Sequence, residues 1–87
     1  MEIKLTPTAF EDRDFWIASG QKQIVKKISR LLSDIAEHPE TGIGKPEALK
    51  YNLSGLWSRE IDKKNRIIYE IKTDYVLIHS MRGNYDQ

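Results

Sequence analysis

The sequence predicts an α+β fold in which an N-terminal strand and an antiparallel two-helix hairpin pack on a twisted antiparallel β-sheet. Three observations carry that prediction. Ile24, Ile28, Leu31 and Ile35 recur at the spacing of a single helix face. Beyond Pro39 the apolar period shortens to about two. Between the alternating stretches lie Ser54-Gly55, Asp62-Lys63-Lys64-Asn65 and Lys72-Thr73-Asp74, all of them rich in turn-forming residues.

Taken in order, Ile3 and Leu5 alternate with charged neighbours, as a first strand would. Thr8-Ala9-Phe10-Glu11 fits a capping box, so a helix is expected over residues 9–19, with Gly20 supplying the left-handed residue after its end. In the second helix Val25, Leu32 and Ala36 widen the apolar stripe, while Lys22, Lys26, Lys27, Arg30 and Asp34 fall largely on the other face. His38-Pro39 stops it, because proline disfavours helical geometry in the residue before it. The short link between the helices makes them a hairpin. Gly42, Gly44 and Pro46 mark a loop over residues 40–46. Strands are expected at 49–53, 56–61, 66–71 and 75–82, forming an antiparallel meander whose apolar face the hairpin covers.

A chain of 87 residues has room for one domain, spanning 1–87. With 39% hydrophobic and 31% charged residues it belongs with folded rather than disordered chains. The absence of cysteine excludes disulfides, thiolate metal sites and cysteine nucleophiles. Met1-Glu2-Ile3-Lys4-Leu5 lacks the apolar core of a signal peptide, and no stretch approaches the roughly 18 apolar residues of a membrane span. A cytoplasmic location without membrane contact is expected. No glycine-rich phosphate loop, histidine pair at metal-ligand spacing or serine elbow occurs, so no metal and no cofactor are expected. His38 ends a helix and His79 lies inside an apolar strand, both read more simply as structural or surface residues than as ligands.

The net charge is only +1, but its distribution is uneven. Lys45, Lys50, Arg59, Lys63, Lys64 and Arg66 crowd a segment opposed only by Glu47, Glu60 and Asp62. That segment is either an RNA-facing surface or a solvated sheet surface. Neighbouring strands lie about 5 Å apart, so Glu47 and cations from Lys45, Lys50, Arg59, Arg66 and Arg82 could converge on one phosphate. The planar guanidinium gives a phosphate two hydrogen bonds and never deprotonates, and a carboxylate beside it stays ionised and can accept a proton. Cross-strand salt bridges from Glu47 or Glu60 to the same cations are the competing reading.

Three ordered motifs carry a resemblance. Gly-Lys-Pro-Glu-Ala-Leu-Lys at 44–50, Asn-Leu-Ser-Gly-Leu-Trp-Ser-Arg at 52–59 and Asn-Arg-Ile-Ile-Tyr at 65–69 resemble the signature of the YoeB/Txe toxins of the RelE superfamily. Phe15-Trp16 and residues 24–28 also look alike, so the likeness spans nearly the whole chain. It implies a RelE-like microbial ribonuclease fold and the toxin of a type II toxin–antitoxin system. Such toxins cut mRNA in the decoding site of the ribosome without a metal, the 2′-hydroxyl attacking the adjacent phosphorus. By this resemblance Glu47 is the general base and Arg66 stabilises the phosphorane-like transition state. Lys45, Lys50 and Arg59 hold the RNA backbone, Arg82 adds to the RNA-binding set, and Tyr85 corresponds to the family's terminal tyrosine. The implied partners are a cognate antitoxin of the YefM/Axe kind with an acidic segment, the ribosome with its A-site mRNA, and operator DNA through the antitoxin alone. Family members often form homodimers.

The chain departs from the family pattern at three places. Asn84 stands where a histidine is the proposed general acid, and a carboxamide cannot release a proton near neutral pH. Glu60 replaces a basic residue after the Trp-Ser-Arg run, and Tyr51 replaces a frequent histidine. Either the ribosome or water protonates the leaving group with Asn84 orienting it, or Tyr85 or His79 substitutes, or the chain is a weakened toxin that acts as an antitoxin-binding module and co-repressor. In a regular strand His79 has the opposite parity to Arg82 and Asn84. The nuclease reading requires Glu47 and Arg66 to share one face of the sheet.

Overall fold

The computed structural model describes residues 1–84. The order is β1 (Glu2–Leu5), α1 (Pro7–Ala18), α2 (Lys22–Glu37), β2 (Glu47–Ala48), a 3₁₀ turn (Tyr51–Leu53), β3 (Leu56–Glu60), β4 (Arg66–Ile71) and β5 (Tyr75–Ser80). The sheet runs β1-β5-β4-β3-β2, antiparallel throughout except that β1 joins β5 in parallel. That parallel pairing becomes possible because the helix hairpin intervenes and returns the chain across one face of the sheet.

The first helix begins two residues earlier than a cap at Thr8 requires. Thr6 is the cap: its hydroxyl oxygen accepts the Ala9 amide at 3.1 Å, and Pro7 takes the first helical position, where a missing N–H costs nothing. The same hydroxyl donates to the His79 carbonyl at 2.8 Å, so the cap also fastens the helix start to the end of β5. Gly20 adopts the expected left-handed conformation (φ 74°). In α2, Ile28, Leu31 and Ile35 are buried as the stripe predicts, against Ile67 and Tyr69 of β4 and Val76 and Ile78 of β5. Trp16 closes the core from α1, its indole N–H donating to the Met81 carbonyl at 2.8 Å.

Two strand expectations change. The alternation of Leu49, Tyr51 and Leu53 is not a strand. Leu49 N–H bonds the Leu56 carbonyl at 2.9 Å, so the chain must reverse in the residues between, and a 3₁₀ turn followed by Gly55 (φ 96°) does so. The last strand ends at Ser80 rather than Arg82, where Met81 turns into the core.

Gly44 holds the loop ahead of β2 against α2. Its φ is +79°, and a Cβ there would lie 2.6 Å from Leu31 Cδ2 and 3.2 Å from the Glu60 carbonyl oxygen. Gly44→Ala is therefore expected to cost about 1–3 kcal/mol, from left-handed strain and overpacking together, read as a lower urea midpoint at unchanged slope.

Candidate active site

The helices cover one face of the sheet, and strand parity decides what reaches the other. Ile67 and Tyr69 of β4 are fully buried in the core, so Arg66, Ile68 and Glu70 point away from the helices. Glu60 pairs with Arg66, and Ser58 with both Ile68 and Glu47. Directly opposed residues share a face, so Glu47, Ser58, Glu60 and Arg66 stand together on the helix-free side. Arg66 Nη1 lies 3.5 Å from Ser58 Oγ, and directly opposed residues have Cβ atoms about 5 Å apart, which puts Glu47 next to the serine that Arg66 reaches.

The loop bearing Glu47 is held by unusual backbone. Lys45 has φ 54° and Tyr51 φ 58°, so two bulky residues in the left-handed region bracket β2. Such conformations cost on the order of 1–3 kcal/mol each and cluster where structure serves a site. Tyr51 is 82% exposed, and Lys45 and Lys50 are exposed beside it.

Glu60 lies between two cations. Its carboxylate is 3.5 Å from Arg66 Nη2 and 3.8 Å from Lys45 Nζ. Asn84 follows closely on β4: the Arg66 amide bonds the Gly83 carbonyl at 2.9 Å, and the Gly83 amide bonds Asn65 Oδ1 at 2.8 Å. The chain thus leaves Gly83 alongside Arg66. Tyr85 lies outside the described residues.

Two of the expected RNA-binding residues are placed elsewhere. Arg59 is fully buried, because the residue paired with the inward-facing Ile67 must face inward too. Its five N–H donors are all used: Nε to Tyr69 Oη at 3.0 Å, Nη1 to Asp34 Oδ2 at 2.6 Å and to the Ile43 carbonyl, and Nη2 to the His38 and Thr41 carbonyls. Tyr69 Oη donates onward to the Pro39 carbonyl at 2.6 Å. The cage joins the end of α2 to the loop that carries Lys45 and Glu47. The Arg59 guanidinium is thus spent inside the fold, on the opposite face of the sheet from Glu47 and Arg66. Arg82 stacks on Phe15 of α1, 3.6 Å from the ring centroid, at the helix side of the sheet.

His79 lies on the face opposite Arg82, as strand parity expects, but that face is the one Arg66 occupies; it is also the extra residue of a bulge, Ile68 pairing with Ser80 and Tyr69 with Ile78. Its Nε2 meets Glu70 Oε1 at 3.1 Å, on the face of Arg66 but two positions further along that face of β4. Hydrogen bonds from Lys72 first and His79 second hold the Glu70 carboxyl below its ordinary range. Among the described residues no group of three His, Asp or Glu side chains is placed to hold a metal ion. Sequence reasoning gave Ser58 no role of its own and offered Glu60 as a departure from the family and as a cross-strand salt-bridge partner, which it is for Arg66 and Lys45. The signal for both was strand parity relative to Arg66, which needs the register.

A small α+β domain with helices on one face of its sheet and a carboxylate–guanidinium group on the other is the class of protein defined here. Residues 5–85 match the family model described as "YoeB-like toxin of bacterial type II toxin-antitoxin system". Toxin YoeB of Streptomyces coelicolor is 44% identical over 85 residues, covering 98% of this chain and all of the relative. The YoeB/ParE toxin from Agrobacterium tumefaciens superposes with a TM-score of 0.92 at 30% identity, over 98% of this chain and 100% of the other. YoeB in the heterotetrameric YoeB–YefM toxin–antitoxin complex from Staphylococcus aureus gives 0.85 at 38% identity, over 98% of both chains. The chain belongs to the YoeB-like toxin family: it is the toxin of a type II toxin–antitoxin system, with a RelE-superfamily fold.

Proposed function

We propose that this toxin is a metal-independent endoribonuclease that cuts mRNA on the ribosome and so arrests translation. The observation that supports the reading best is the shared face of Glu47 and Arg66, bridged by Ser58. Glu47 takes the proton of a 2′-hydroxyl as its oxygen attacks the adjacent phosphorus. Arg66 stabilises the charge gathered on the non-bridging oxygens, and a preorganised cation there is worth most in the transition state. The bond from phosphorus to the 5′-oxygen breaks, leaving a 2′,3′-cyclic phosphate and a 5′-hydroxyl. Water or a ribosomal group delivers the proton to the departing oxygen, with Asn84 orienting it. Lys45 and Lys50 hold the backbone on either side of Glu47, and Tyr85 stacks on a base.

An antitoxin with an acidic segment covers the same cationic face, a partnership supported by the YoeB–YefM complex among the structural neighbours. Among the described residues no helix is long and apolar enough to cross a membrane, which suits action on cytoplasmic ribosomes. Asn84 favours a second reading: a catalytically weak toxin whose main work is binding the antitoxin and tightening its hold on operator DNA.

Purified toxin added to a translation reaction is expected to cut the transcript within ribosome-bound codons, leaving 5′-hydroxyl ends that map by primer extension. Arg66→Ala should slow cleavage by about 10²–10³-fold. Transcripts left intact by the unmodified protein on loaded ribosomes would rule out the nuclease and leave the binding-module reading.

A further inference from the structure

Glu60 places its carboxylate within 4 Å of both Arg66 and Lys45. It ends β3 on the helix-free face, and its backbone is pinned by its amide to the Gly44 carbonyl at 2.6 Å. That anchor fixes the root of the side chain beside both cations. The carboxylate's contacts of 3.5 and 3.8 Å are nevertheless loose. A charge-assisted fork between guanidinium and an oxyanion closes to about 2.7–2.9 Å. A phosphodiester, with two non-bridging oxygens free to approach, can make that fork where Glu60 does not.

We propose that Glu60 is a built-in anion occupying the phosphate seat of Arg66 and Lys45, so that RNA must displace it to bind. The inference rests on the nuclease reading of this face and adds a residue that tempers the toxin's grip on its substrate. In the free toxin the carboxylate offsets part of the positive charge of Arg66 and Lys45. When RNA arrives, the cations transfer from carboxylate to phosphate, and the freed Glu60 then repels the strand. Both effects lower affinity. They also lower its salt dependence, since cations already compensated by a carboxylate have fewer counterions to release.

The test is binding of a short, fluorescently labelled RNA whose 2′-hydroxyls are all methylated, so that it cannot be cut, to four intact proteins across a salt series. These are the wild type, Glu60→Gln, Arg66→Ala and Glu60→Gln/Arg66→Ala. Glu60→Gln keeps the side-chain shape and removes the charge, and a thermal melt close to wild type would show the fold kept. It is expected to bind about three- to tenfold tighter at low salt, with a log–log salt slope steeper by up to about 0.7. In the Arg66→Ala background the same substitution should gain much less, because one of the two competing cations is gone. Equal or weaker binding by Glu60→Gln overturns the proposal, and a fall in cleavage rate without tighter binding would make Glu60 a positioning residue for Arg66 instead. If Arg66→Ala binds as well as wild type, or if no protein binds at all, the RNA reading of the whole face fails with it. Weakened binding by Arg66→Ala without a gain from Glu60→Gln removes the Glu60 inference alone.

Discussion

Arg59→Ala is expected to remove about 3–5 kcal/mol of stability, enough to leave a large fraction of the toxin unfolded. A chain of 87 residues has a total of roughly 4–13 kcal/mol at the usual 0.05–0.15 kcal/mol per residue. The loss is large because the guanidinium's partners stay behind. Asp34 keeps its charge, Tyr69 Oη loses its donor, and the carbonyls of His38, Thr41 and Ile43 lose theirs beneath the loop. Arg59→Lys should recover little, since an ammonium offers three donors from one point and cannot match a planar array of five. The same pair makes the fold acid-sensitive. The Arg59 hydrogen bond is the main cause holding the Asp34 carboxyl below its ordinary range, with the Ile43 amide adding to it against the opposing effect of burial. Its folded pKa being depressed, Asp34 contributes stability that is complete above the ordinary carboxylate range. That contribution is lost as the pH falls through the lower folded value. Urea midpoints from neutral pH down to about pH 3 should therefore drop in the wild type and drop less in Asp34→Asn, which would already be weaker at neutral pH. An Arg59→Ala protein melting within a degree or two of wild type would contradict the whole account.

This cage also marks where sequence reading ran out. The helical stripe of α2, the left-handed Gly20 and the extent of β4 were legible because each is encoded by neighbours in the chain. Thr6-Pro7 was equally local, but the Thr8–Glu11 capping box competed with it, and only the hydroxyl of Thr6 finds a second partner, in the His79 carbonyl of a distant strand. The alternation over 49–53 imitated a strand because period two also arises when a turn buries Leu49 and half-buries Leu53. Arg59 looked like one more cation in a basic segment. Its burial depends on register: opposite Ile67 it must face the helices, whereas Glu60, one residue on and opposite Arg66, must face away. A slip of one position would exchange their fates, and nothing local excludes it. Charge pattern put Glu47 and Arg66 in one candidate set, the resemblance gave them their roles, and the register puts them on one face.

Glu47→Gln is expected to lower ribosome-dependent cleavage by about 10²–10⁴-fold while leaving the fold and antitoxin binding close to wild type. Glutamine matches glutamate in shape and on an exposed edge strand should cost little stability, so lost rate can be assigned to lost proton acceptance. The loss should lie in the single-turnover rate on saturating programmed ribosomes, because a general base acts in the transition state more than in the bound ground state. Asn84→His measures the other half of the reaction. Where water or the ribosome already protonates the leaving oxygen, a new imidazole should change the rate by less than about tenfold. If instead the toxin is limited by a missing acid, Asn84→His should gain about 10²-fold or more. It should also acquire an alkaline fall in rate near the ordinary histidine pKa of about 6.5, a limb absent from the wild type. The double variant separates the roles, since an acid cannot repair the absence of a base: Glu47→Gln/Asn84→His should stay near the slow Glu47→Gln rate. Full cleavage by Glu47→Gln, with products still ending in cyclic phosphate, would move the base to another residue and take the catalytic meaning from the face that Glu47 shares with Arg66.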